Sequence, residues 1–111
     1  YKKADAALKL KISIAEMIIR YELNEYETLE YRMAQTTKEF SKLLADKNFK
    51  RENEMLGLLN NMVHAYSISK DKKLQKQIQL FIKKHEKASD DTDVIKYIPW
   101  LKSKGEFILS A

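Results

Sequence analysis

Cysteine is absent from this chain, which excludes disulfides and thiolate metal sites and leaves the redox compartment unreadable. Proline occurs once and glycine twice in 111 residues. A β-sandwich or an α/β fold needs many turn residues, so this scarcity argues against both. No apolar run approaches the roughly 20 residues needed to cross a bilayer. The two glycines, Gly57 and Gly105, are isolated, so no loop of the phosphate-cradling kind is present. The two histidines, His64 and His85, stand 21 positions apart with neither a His-Glu-x-x-His pattern nor a helical i,i+4 partner. His64 falls beside the apolar face and His85 near a lysine cluster, and neither is read as a metal ligand or a catalytic group.

What is present describes an ordered globular chain. Apolar residues make up 44 % and charged residues 33 %, a balance that can bury one modest core and fits a single domain. The formal charge is +5. A basic excess can serve nucleic acid or an anionic membrane, but a solvated lysine-rich surface is the commoner outcome. The chain begins at Tyr1 without a signal-like apolar stretch. It reads as a piece of a longer protein, and its compartment stays open.

Hydrophobic periodicity predicts an all-α fold of about five antiparallel helical segments. The first runs from about Asp5 to Leu23. Its polar residues Lys9, Ser13, Glu16 and Arg20 share one narrow stripe. Apolar residues cover most of the remaining circumference, with Lys11 and Glu22 as exceptions. A helix of that kind wants neighbours on two or three sides. The candidate face for self-association or repeat stacking is Leu10, Ile14, Met17 and Tyr21. Asn24 is expected to end this helix in the left-handed conformation. A second helix follows from about Glu25 to Asp46, with Tyr26, Leu29, Met33, Thr36, Phe40 and Leu43 on its buried face. The short connection forces the first two helices antiparallel.

Asp46-Lys47-Asn48 makes the next break. A third helix is expected from about Phe49 to Ser69, lined by Met55, Leu56, Leu59, Met62, Val63 and Tyr66. Asp71 suits the N-cap of a fourth, carrying Leu74, Ile78, Phe81 and Ile82 and ending near Ala88. Ser89–Asp93 reads as a loop and capping cluster. A last segment over 92–109 should kink or restart at Pro99, which fits the first turn of a new helix. Gly105 is expected to end it early, and Trp100 to pack it onto the two preceding helices. The organisation is thus one domain over 1–111, made of a hairpin at 5–46, a second at 49–88 and a C-terminal cap at 92–109.

Two charged clusters invite a functional reading. Glu22, Glu25, Glu27 and Glu30 gather at one helix junction, where a solvated acidic edge is favoured over a cation site. Lys70, Lys72, Lys73, Lys76, Lys83, Lys84 and Lys87 form the most basic region and are the candidate contacts for a polyanion. Arginine, the residue of bidentate base readout, is absent there, and no aromatic base platform is evident, so sequence-specific nucleic-acid recognition is disfavoured. The tyrosines at 1, 21, 26, 31, 66 and 97 suit packing with hydroxyls at the rim, or anchoring of a partner.

The segment Leu8–Met33 (LKLKISIAEMIIRYELNEYETLEYRM) resembles one tetratricopeptide-type helical hairpin. At its junction Asn24 stands where Gly is usual, Tyr26 matches the aromatic position and Leu29 replaces the expected Ala. With the lysine-rich Asp71–Leu74 stretch and the late Trp100-Leu101 pair, the whole chain is similar to the C-terminal ends of certain bacterial tetratricopeptide-repeat proteins. No second repeat is visible at 34 residues, so 49–111 would be degenerate repeats or a cap. The resemblance implies a right-handed α-α solenoid fragment that binds a protein or peptide on its face and stacks on upstream repeats or on another copy of the chain. It brings no catalytic residue, cofactor or metal.

Three classes of function follow. A non-enzymatic helical-repeat scaffold for protein–protein interaction leads. A basic helical domain that binds nucleic acid or another polyanion through Lys70–Lys87 comes second. An enzyme comes last, because no acid–base or nucleophile constellation is visible.

Overall fold

The structure is a computed structural model and describes residues 3–65, 68–86 and 96–109. Among these residues there are helices and turns and no strand, so the all-α reading holds. The chain divides into two compact units, Tyr1–Val63 and His64–Ala111. The segment expected as a second hairpin, 49–88, straddles that division.

The first unit opens with α1, Lys3–Glu22. Asn24 ends it with φ at 60°. The Glu25 amide donates to the Arg20 carbonyl at 2.9 Å and the Asn24 amide to that of Tyr21 at 3.1 Å. These two bonds satisfy carbonyls that the helix end would otherwise leave open. α2 follows immediately, Tyr26–Glu39. Glu16 on α1 pairs with Arg32 on α2, while Arg20, nearer the turn, pairs with Glu25. Stepping back from the turn on one helix steps away from it on the other, so the two run antiparallel.

The second helix does not continue unbroken to Asp46. Phe40 adopts φ −105° and ψ 24° and separates α2 from the single turn α3, Ser41–Leu44. Thr37 Oγ1 donates to the Met33 carbonyl at 2.9 Å, a back-bond that bends helices. The break leaves both Phe40 and Leu44 buried. Asp46 then caps a 3₁₀ turn, Lys47–Phe49, accepting from the Asn48 amide at 2.9 Å. α4, Lys50–His64, completes the unit. It ends five residues before the expected Ser69, and Tyr66 lies outside the described residues. Leu10, Ile14, Met17, Leu29, Met55, Leu59 and Met62 are the fully buried large side chains of this unit.

The second unit contains a 3₁₀ turn, Ile68–Lys70, then α5, Lys72–His85, and α6, Tyr97–Leu109. Asp71 is the cap anticipated for α5, accepting from the Leu74 amide at 2.9 Å. Gln75 Nε2 donates to the Ile68 carbonyl at 2.8 Å and ties the turn to the helix. α6 packs against α5 and the turn. Pro99 sits in the first turn of α6, where its missing amide costs nothing. Gly105 does not end α6, which continues to Leu109. Tyr97 and Leu101, one turn apart on the same face, are buried, whereas Trp100 stays partly exposed with Lys104 Nζ 5.7 Å from its ring. The Ser89–Asp93 cluster, Val94 and Ile95 lie outside the described residues.

Candidate interaction surfaces

The first surface belongs to α1. Of the candidate face for self-association or repeat stacking, Leu10, Ile14 and Met17 are 0 % exposed and belong to the core of the unit. Tyr21 is half-buried and its hydroxyl is pushed up to about 12, by burial first and then by Tyr26 and Glu22. Its ring lies 5.6 Å from that of Tyr26 at a tilt of 55°. Glu16 and Arg20 lie on a neighbouring side of α1, where Arg32 of α2 and Glu25 reach them.

A different apolar stripe lies outside. Leu8, Ile12, Ile19 and Leu23 are 48, 50, 52 and 61 % exposed. At 100° per residue they fall within an arc of about 60° and extend over about 22 Å. The Leu23 amide still donates to the Ile19 carbonyl at 3.0 Å, so Leu23 stays on the helical path.

Along one border of the stripe runs a polar network. Glu16 accepts from Arg20 at 3.2 Å and from Arg32 Nη2 at 2.9 Å. Arg20 reaches Glu25 at 2.9 Å. Arg32 donates to Gln35 at 3.0 Å, and Gln35 to the Tyr31 hydroxyl at 3.1 Å. Burial raises the Glu16 pKa, but hydrogen bonds from Arg32 and Arg20 and their charges outweigh it and hold the carboxyl below its ordinary 4.5. Tyr31, 64 % exposed, stands at the outer end of the network. Of the acidic junction, Glu25 is taken by Arg20. Among the described residues no group of three or more His, Asp or Glu could hold a metal ion.

The second surface is the outer side of α5. Leu74, Ile78 and Phe81 are buried. On the opposite arc of about 120° lie Lys72, Lys73, Lys76, Lys83 and Lys84, all exposed. The one other residue in that arc is Leu80, 57 % exposed. α5 contains no Asp or Glu. Glu86, just past its end, pairs with Lys102 of α6 at 2.8 Å. Lys70 is exposed in the preceding turn, and Lys87 lies outside the described residues. The sequence cluster is therefore a single helical face over Lys72–Lys84. Leu80 stands within it, and its position between Lys76 and Lys83 is the sequence signal for that placement.

His64 ends α4 and is exposed; the His85 ring packs against Phe81 at a tilt of 52°, with centroids 4.6 Å apart. They lie in different elements, α4 and α5. Among the described residues no helix is long and apolar enough to cross a membrane. No family profile, curated protein or solved structure matches the chain.

Proposed function

We propose that the chain is a non-enzymatic helical scaffold for protein–protein association, of the stacked-hairpin solenoid type, and that α1 docks the α1 helix of a second copy. One observation carries this reading: the half-exposed stripe Leu8, Ile12, Ile19, Leu23. Single exposed aliphatics are ordinary. Four in a continuous line are the pattern of an interaction surface.

The order of the stripe argues for a second copy as the occupant. Leu8 and Leu23, and likewise Ile12 and Ile19, are equidistant from the Ala15–Glu16 peptide. An antiparallel copy related by a twofold axis near that point sets Leu8 against Leu23 and Ile12 against Ile19, twice over. Such self-complementarity is what an isologous interface requires. The network from Glu16 to Tyr31 supplies a polar rim with Tyr31 as an aromatic contact.

Sedimentation equilibrium on the 111-residue chain tests the proposal. A dimer is expected at micromolar concentration, and Ile12→Glu with Ile19→Glu should make it monomeric with its helical spectrum intact. A wild-type monomer at high micromolar concentration overturns the second copy as occupant. If that monomer also binds no apolar dye, the α1 surface is overturned as an interaction site.

A further inference from the structure

We propose that the outer face of α5 is a peripheral docking surface for membranes rich in anionic lipid. The argument starts from composition. Residues 64–111 hold ten lysines, six acidic residues and no arginine, whereas all three arginines fall in 1–63. Within α5 the asymmetry is complete, with five lysines and no carboxylate. Asp71, immediately before it, spends its carboxylate on the Leu74 amide at 2.9 Å.

Geometry turns this composition into a surface. The helix is about 21 Å long, and its inner stripe Leu74, Ile78 and Phe81 is buried. The lysines and Leu80 of its outer arc can therefore be engaged without unpacking that stripe. Four of its lysines, Lys72, Lys73, Lys76 and Lys83, have no carboxylate partner among the described residues. Lysine is a mobile point charge on an apolar stem, suited to a fluid array of headgroups and not to fixed bidentate recognition.

Leu80 decides between the anionic partners. It is 57 % exposed in the middle of the cationic arc. Against a nucleic-acid backbone its isobutyl group would meet phosphates and add nothing. No arginine or aromatic side chain on this face reads bases. At a lipid surface the ammonium groups stay among the headgroups while Leu80 enters the acyl boundary, as on interfacial amphipathic helices. Polybasic attraction of this kind is cumulative and screened by salt.

Vesicle flotation with the whole chain tests the proposal. Wild type should float with vesicles of phosphatidylcholine containing about 30 % phosphatidylserine, in about 0.1 M salt, and not with phosphatidylcholine alone. Each of Lys76→Gln and Lys83→Gln should weaken partition about fivefold, the usual surface contribution of one lysine. Leu80→Gln should weaken it several-fold while leaving the helical spectrum and the sedimentation behaviour unchanged. Failure to float with the anionic vesicles overturns the proposal. So does a Leu80→Gln variant that binds them as wild type does. Displacement from the vesicles by an equal phosphate concentration of duplex DNA would assign the face to nucleic acid instead.

Discussion

At Glu16 two arginines from two helices converge on one carboxylate, and the consequence is a pH dependence of known sign. Burial works against its ionisation, but the Arg32 and Arg20 hydrogen bonds prevail and lower its pKa from 4.5. A carboxyl with a depressed folded-state pKa binds protons more readily when unfolded. Its stabilising contribution is therefore present above about pH 4.5 and is lost as pH falls through the lower folded value. The pair is about one-third exposed, so solvent screening keeps the contribution below about 1 kcal/mol. Thermal midpoints at pH 6 and pH 3 should differ more for wild type than for Glu16→Gln. Equal differences would show that the network contributes nothing to folding. The role of Asn24 was readable from residue type alone, since few side chains other than glycine tolerate φ near 60°. The role of Glu16 was not: it lay in the right stripe, but nothing local reveals that Arg32 would reach it from 16 positions away. Lys11 shows the same limit. It interrupts the apolar arc of α1 and is 5 % exposed, and a lysine stem in such a place is visible in sequence only as an exception.

At the scale of elements, periodicity and cap chemistry located the helices, while their interruptions depended on packing. Asp71 and Pro99 are local signals with one natural reading, and both stand at the start of a helix. Phe40 carries no such signal. Its break between α2 and α3 keeps two large apolar side chains buried, which is a demand of the folded unit. Gly105 shows the opposite error, a weak breaker overridden within α6. Gly57 offers a direct test of how much a mid-helix glycine costs here. It lies inside α4 on an exposed position without positive φ, and an added Cβ would meet nothing within 4 Å. Gly57→Ala should therefore stabilise the chain by about 0.5–1 kcal/mol through helix propensity and reduced freedom of the unfolded chain. A urea-unfolding midpoint that falls instead would mean that the position needs the bare backbone.

At the scale of the whole molecule, charge is unevenly shared. Residues 1–63 hold eleven basic and ten acidic side chains and residues 64–111 hold ten and six. The basic cluster was legible as a list of lysines; its shape as one face with an apolar centre was not, because that depends on where α5 turns its buried stripe. The α1 stripe was half legible in the same way. Apolarity around the circumference announced an unmet surface, and only the packed unit shows which residues form it. The lysine face also sets stability against docking. Lys72, Lys73 and Lys76 stand three and four positions apart, so they repel across the helix surface. Lys76→Glu replaces two repulsions with two attractions, each about 0.2–0.5 kcal/mol. The thermal midpoint should rise, by more at low salt than at high salt. The same substitution removes two units of charge from the centre of the face and should abolish flotation with anionic vesicles. A stability rise coupled to a loss of docking is the pattern of a surface kept for binding at the expense of folding. If Lys76→Glu destabilises the chain, Lys76 serves the fold, and the repulsive face does not explain why α5 is all lysine.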